Sequence, residues 1–375
     1  MSGDQVAPTP LITSPLHERQ LAMGAKMAEF GGWQMPLEYA NGGVLKEHAA
    51  VRDGVGVFDV SHLGKLAVRG PGGRDFVNGC LSNDLGRIEP GQAQYTLCCD
   101  DATGGVVDDL IAYLRSDEVV FLIPNAANAP TVCERLATAA PSEVEVLDLH
   151  RQFAVLAVQG PSSDEVLAAL GLPVGYAYMS FVDAEHQGVS VTVCRTGYTG
   201  ERGYELVVTA DGAVALWDAI LRAGEPYGIR ACGLGARDTL RTEMGYPLHG
   251  QDISLDITPV QARLGWAVGW SKPSFWGREP LLAEREKGPK RVLRGLVASG
   301  RGIARPGMRV LIAADFPVGV ITSGTFSPTL RKGVALALID PSIEVGAEVS
   351  VEVRGRREIF VLAAPPFVTP GVREP

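Results

Sequence analysis

Residues 95–111 read Tyr95-Thr-Leu-Cys-Cys-Asp-Asp-Ala-Thr-Gly104-Gly-Val-Val-Asp108-Asp109-Leu-Ile111. A glycine pair leading into a β-branched apolar run reads as a hairpin, and hairpins build antiparallel sheet. The pair feeds two carboxylates directly into that strand, where they cost desolvation. Strand side chains alternate, so Asp108 and Asp109 face opposite ways and at most one of them enters a given pocket. Taken alone, the segment also reads as a capped turn beside solvent.

The same punctuation runs outward along the chain, whose 45 glycines and 25 prolines divide it into short apolar runs. Strands are expected at Lys65–Arg69, Val106–Leu114, Val119–Ile123, Phe153–Val158, Val189–Arg195, Tyr204–Val208, Val292–Val297, Val318–Ile321 and Val349–Val353. Helical periodicity covers Gly43–Arg52, Arg74–Asn78, Ser162–Ala169, Ala213–Ala223 and Leu234–Glu243. Regular βαβ alternation is missing, which predicts an α+β protein of antiparallel sheets and flanking helices rather than a doubly wound one. Between Trp276 and Arg291 the chain turns proline-rich and charged, and strand signals then run on with little helix. That stretch reads as a boundary before an all-β, barrel-like C-terminal domain.

A length of 375 residues exceeds what one core normally supports, so two or three packed subdomains are expected. With 46% hydrophobic and 21% charged residues the composition is globular. The net charge of −9 repels a polyphosphate backbone, and the basic runs Lys287-Gly-Pro-Lys290-Arg291 and Arg354-Gly-Arg356-Arg357 read as a solvated linker or hairpin edge. Nucleic acid is not an expected partner. The six cysteines, with Cys98 and Cys99 adjacent, lack disulfide or C-x-x-C spacing and read as reduced thiols in a cytoplasmic protein. Residues 1–15 lack a secretory pattern, and no apolar run is long enough to span a membrane. The six histidines stand apart without metal-ligand spacing, and dinucleotide, P-loop and serine-hydrolase motifs are missing.

Two further segments carry chemistry. In Arg195-Thr-Gly-Tyr198-Thr-Gly200-Glu-Arg-Gly203-Tyr-Glu205-Leu206, three glycines bend the chain between two strands. Tyr198 offers an aromatic plane there, and Glu205 a two-oxygen acceptor suited to an amino-pyrimidine edge. A turn aromatic and a surface strand residue are the plainer readings. In Gly233-Leu-Gly-Ala-Arg237-Asp238-Thr-Leu-Arg241-Thr-Glu243-Met-Gly245, Arg237 and Arg241 share a helix face. Either could meet a carboxylate, and a surface pair of Arg241 with Asp238 or Glu243 is equally ordinary.

Together these motifs resemble the T-protein family of the glycine cleavage system, the aminomethyltransferases. The likeness also takes in Thr9-Pro-Leu, Pro15-Leu-His17, Phe30-Gly-Gly-Trp33-Gln-Met-Pro36, Phe58-Asp-Val-Ser-His62, Asn125-Ala-Ala-Asn128, Asp252, Thr258-Pro259, Leu264-Gly-Trp266 and Pro366-Phe367-Val368. It implies an N-terminal folate-binding module over 1–280, made of two interleaved subdomains at about 1–55 with 150–280 and 56–149, and a C-terminal β-barrel over 285–375. It implies transfer of the methylene carbon of an aminomethyl group from a lipoylated carrier, the H protein, to tetrahydrofolate. The products are 5,10-methylenetetrahydrofolate and ammonia, with no metal and no flavin. The family's catalytic aspartate corresponds to Asp109, and its folate-binding positions to Tyr95, Asn125, Tyr198, Glu205, Arg237, Trp266 and Arg373.

Two positions depart from the family pattern. Leu63 replaces a common methionine, a nearly volume-conserving change. Pro124 precedes Asn125 without a backbone N–H and could shift the strand pairing. A folate domain of a dimethylglycine- or sarcosine-oxidising enzyme would come fused to a flavin domain that nothing here supplies. A non-catalytic folate-binding paralogue would carry Lys-Gly-Cys-Tyr-x-Gly-Gln-Glu where this chain has Arg195-Thr-Gly-Tyr-Thr-Gly-Glu-Arg.

Overall fold

A computed structural model describes residues 10–312 and 316–372. Its α+β architecture centres on the hairpin of Gln92–Cys99 and Val106–Ser116, the edge pair of a five-stranded sheet. The turn is made by Asp100, whose carboxylate accepts from the Ala102 and Thr103 backbone N–H groups and the Thr103 hydroxyl. Gly104 takes φ +73°, and a Cβ on Gly105 would lie 1.8 Å from the Leu255 carbonyl oxygen, so only glycine fits there. Val119–Ile123, Leu66–Arg69 and Glu145–Asp148 complete this sheet. Pro124 lies just beyond its last paired residue, Ile123, so the missing N–H costs no ladder bond.

A six-stranded sheet faces it, ordered Phe181–His186, Val189–Cys194, Gly203–Thr209, Phe153–Gln159, Gly56–Asp59 and Arg230–Cys232. Strand alternation gives each sheet two kinds of face. Leu156, Val158, Leu206 and Val208 pack outward with Trp217 and Ile220 of the helix Ala213–Gly224. Val155, Ala157 and Val207 turn inward to meet Ala67, Tyr113 and Phe121 of the five-stranded sheet. A small sheet of Ile12–Thr13, Trp33–Tyr39 and Ala25–Phe30 lies alongside. Among the described residues no helix is long and apolar enough to cross a membrane.

The C-terminal strands Val292–Ala298, Arg309–Ile312, Phe316–Ser327, Lys332–Ile339, Glu348–Val353 and Arg356–Ala363 close into a barrel. Ala335, Ala337 and Ile339 fill its interior, while Leu336 and Leu338 of the same strand pack outward against Leu97, Ile253 and Leu264. The barrel is thereby fastened beneath the central hairpin. The basic run around Arg354 and Gly355 is the hairpin turn joining the last two barrel strands.

All five expected helices form, with their ends moved by a residue or two. Among the described residues three more are present, at His17–Ala22, Ala129–Ala139 and Arg278–Lys287. The last replaces part of the stretch read as a linker. Pro130 and Pro280 look like helix breakers in the sequence, yet both sit in a first turn, where the missing N–H has no intrahelical partner to lose.

Arg241 departs most from its plainer reading. It is 2% exposed, and it donates to Asp252 (0% exposed) at 2.8 Å, to Ser323 Oγ at 2.9 Å and to Asp238 at 2.9 Å. A register shift between Ile321 and Ser323 turns Thr322 and Ser323 towards Asp252, which accepts from both hydroxyls. Breaking a buried pair leaves an uncompensated charge and costs about 3–5 kcal/mol. Asp252→Ala and Asp252→Asn both remove the charge opposite Arg241 and are therefore expected to lower the urea midpoint sharply, Asp252→Asn somewhat less because its amide oxygen keeps an acceptor for the surrounding donors, as read by chemical denaturation.

Candidate functional site

The facing sheets enclose a cavity of about 500 Å³. Asp109, Ile111 and Tyr113 enter it from one strand and Ala93 and Tyr95 from its hairpin partner. Asp108, one residue out of phase, is wholly buried behind this wall. The loop after Ile123 serves both carboxylates. Asn125 Nδ2 lies 2.8 Å from Asp109 Oδ1 and 2.9 Å from Asp108 Oδ1, and the Asn125 backbone N–H donates to Asp108 Oδ2 at 2.9 Å. Asn128 Nδ2 adds a bond of 2.7 Å to Asp108 Oδ1. The Tyr95 hydroxyl donates to Asp109 Oδ2 at 3.0 Å, and the Tyr95 ring stacks on Trp266 with centroids 5.3 Å apart. Trp266 is 64% exposed and forms the rim.

Burial raises the pKa of both aspartates, and the neighbouring Asp109 carboxylate raises Asp108 further. Donors from Tyr95 and Asn125 oppose the rise at Asp109. The pair thus holds a proton to higher pH than an isolated aspartate. Burial likewise raises Tyr95, which stays a phenol and a donor.

The opposite wall comes from the six-stranded sheet and the helix Leu234–Met244. Glu205 sits on the inward face of its strand, 7% exposed, and accepts from Thr196 Oγ1 at 2.6 Å. Thr196 in turn faces the Tyr113 hydroxyl at 3.2 Å, so the surface reading of Glu205 does not hold. Tyr198 donates to the Pro247 carbonyl, stacks with Tyr246 and carries the Arg237 guanidinium 4.8 Å above its ring. Burial lowers Arg237 from its usual value while Glu205 and Tyr198 counteract this, and the group stays cationic. Arg237, His62 and Gln94 line this cavity, and their Nη1, Nδ1 and Oε1 atoms are buried without a hydrogen-bond partner among the described residues. Burial, with Arg237 and Lys65 nearby, holds His62 well below its usual pKa, so it is a neutral imidazole. Buried polar atoms left without partners beside a cavity call for an explanation, and a cavity with aromatic walls and a few converging polar groups is the usual form of a small-molecule site.

Tyr95, Asp109, Asn125, Tyr198, Glu205, Arg237 and Trp266 all line this one cavity. Arg373 lies outside the described residues. The chain just before it is tied to the site loop, with Gly371 N–H donating to Gly200 O and Arg195 donating to Val372 O. His62, Thr196 and His249 also line the cavity. Nothing in their sequence spacing marks them, because each arrives on a separate loop. No cluster of three or more His, Cys, Asp or Glu able to hold a metal ion occurs among the described residues.

Comparison with known proteins agrees with this architecture. The family model of the GCVT N-terminal domain matches residues 16–272, and that of the glycine cleavage T-protein C-terminal barrel domain matches residues 291–369. An aminomethyltransferase of Parafrankia sp. is 63% identical over 363 residues, covering 97% of this chain and 99% of that protein. One from Mycobacterium tuberculosis is 58% identical over 360 residues, covering 96% and 97%. The crystal structure of the glycine cleavage system aminomethyltransferase T from Bartonella henselae superposes with a TM-score of 0.91 at 35% identity, covering 97% of this chain and all of that one. Fold, cavity and near full-length likeness converge, and the chain belongs to the aminomethyltransferase family of glycine cleavage T proteins.

Proposed function

We propose that the cavity binds tetrahydrofolate and that the enzyme transfers to it the methylene carbon of an aminomethyl group borne by a lipoylated carrier protein. The observation that carries this reading is the convergence of Asp109, Glu205 and Arg237 on one cavity with aromatic walls. Glu205 accepts from the amino-pyrimidine edge of the pterin, a donor pair that a carboxylate matches. Arg237 supplies a cation to an acceptor on the folate, and Tyr95 and Trp266 provide the stacking wall. The mouth at Trp266 admits the carrier's lipoyl arm.

In the reaction, folate N5 attacks the methylene carbon as ammonia departs. N10 then closes onto the same carbon as the lipoyl sulfur leaves as a thiol. The two protons lost from N5 and N10 end on ammonia and on sulfur. Positive charge grows on the carbon between these steps, and a carboxylate fixed beside it stabilises that charge without reorganising. Asp109 is fixed in this way by Tyr95 and Asn125.

Asp109→Asn is expected to keep the fold and much of the folate affinity while cutting turnover by about 100-fold or more, and Asp108→Asn to do less. The assay is folate-dependent ammonia release from aminomethylated, lipoylated carrier, with and without tetrahydrofolate. Near-normal turnover in Asp109→Asn would remove Asp109 from the chemistry. Glu205→Gln turns an acceptor oxygen into a donor and is expected to weaken folate by about 1–3 kcal/mol with a smaller change in kcat, as read by titration with a reduced folate.

The pH dependence has a definite sign. Asp109 acts as a carboxylate and its pKa is raised, so turnover falls as pH drops through a value above the ordinary aspartate pKa of about 4. The folded chain also binds this proton more tightly than the unfolded chain. The wild type therefore loses stability relative to Asp109→Asn as pH rises from about 4 through the raised pKa. Parallel urea titrations at several pH values measure the difference.

A further inference from the structure

Asn128 occupies the N-cap position of the helix Ala129–Ala139, yet its side chain makes no capping bond. An asparagine there ordinarily satisfies a free backbone N–H of the first turn. Here the amide turns away from its own helix. It donates to Asp108 Oδ1 at 2.7 Å and meets His249 Nδ1 at 3.0 Å. The other ring nitrogen, His249 Nε2, lies 3.0 Å from the Val106 carbonyl oxygen. A carbonyl only accepts, so Nε2 carries the hydrogen and Nδ1 presents its lone pair to Asn128. Every amide orientation in the chain His249–Asn128–Asp108–Asn125–Asp109 is then determined, because both amide nitrogens face acceptors.

His249 is itself held in place. Asp252 accepts from the Leu248 backbone N–H at 2.9 Å, and the Asp252 carboxylate is gripped by Arg241 and by Ser323 of the barrel. The loop bearing His249 is thus anchored on one side to the barrel and on the other to the strand that bears Asp109.

We propose that His249 is a positioning residue for the transfer reaction: as a fixed hydrogen-bond acceptor it holds Asn128, and through Asp108 and Asn125 it sets the orientation of Asp109. The proposal rests on the reading of Asp109 as the carboxylate beside the reacting carbon. Without the Nδ1 acceptor, one Asn128 amide hydrogen loses its partner in a half-buried site, and the amide is free to rotate to recover one. Asp108 then loses a donor, and Asn125, which both aspartates share, is released.

Two variants separate this role from simple packing. His249→Leu removes the acceptor. His249→Asn puts an amide oxygen near the place of Nδ1. His249→Leu is expected to lower kcat about tenfold or more with little change in KM for tetrahydrofolate, and His249→Asn to recover most of that loss. In an Asn128→Ala background, His249→Leu is expected to cost nothing further, because the link is already cut. A raised KM at unchanged kcat, no rescue by asparagine, or independent losses that multiply in the double variant would each overturn the proposal.

A second readout needs no turnover. In protein selectively ¹⁵N-labelled at asparagine, the Asn125 side-chain amide hydrogens are expected to exchange with solvent about tenfold faster in His249→Leu than in the wild type or in His249→Asn. Unchanged exchange in His249→Leu would overturn the positioning role even if the wild type transfers its one-carbon unit normally. A wild type without folate-dependent ammonia release would instead refute the transferase reading, and the exchange result would still judge the link.

Discussion

Two adjacent carboxylates leave one strand on opposite faces, one wholly buried and the other half-buried at the cavity wall. That arrangement is tolerable only if each receives donors, and Asn125 supplies them to both through its side chain, with its backbone N–H serving Asp108. The loop after Ile123 must therefore lie against the hairpin, and the helix Ala129–Ala139 must start where Asn128 still reaches Asp108. The position of one amide decides where a sheet edge, a loop and a helix meet.

The cavity follows from polar groups on inward faces. Two apolar sheet faces would close to the usual sandwich spacing, but Asp109 and Glu205 line the cavity from strand positions that face the opposite sheet. Glu205 is satisfied only in part by Thr196, and Arg237 keeps Nη1 free of any partner among the described residues. Both residues border the space between the sheets with hydrogen-bonding capacity to spare. Farther out, where Val155, Val207, Phe58 and Phe121 line the same interface, the sheets meet in ordinary apolar contact.

Much of this is written in local pattern. The Gly104-Gly105 turn, the alternating strands and the switch to unbroken strand signals towards the C-terminus give the antiparallel sheets and the barrel directly. Helices that open on proline were hidden, since Pro130 and Pro280 break a pattern in sequence that they do not break in space. Alternation separates Asp109 from Asp108 but cannot say that one asparagine touches both. Nor could spacing identify His249, whose partners Asn128 and Val106 are more than a hundred residues away. The burial of Arg241 was equally out of reach, because its partner Ser323 lies on a barrel strand and faces it only through a bulge.

The irregularity between Ile321 and Ser323 is a single misstep in a ladder, distant along the chain from every residue that lines the cavity. Through Asp252 and Leu248 it nevertheless bears on the loop of His249. The two hydroxyls at the bulge hold the carboxylate that holds this loop, a duty the barrel's outer turns do not share. Two side chains of one barrel strand thereby help to fix the geometry of a cavity that lies between the two facing sheets.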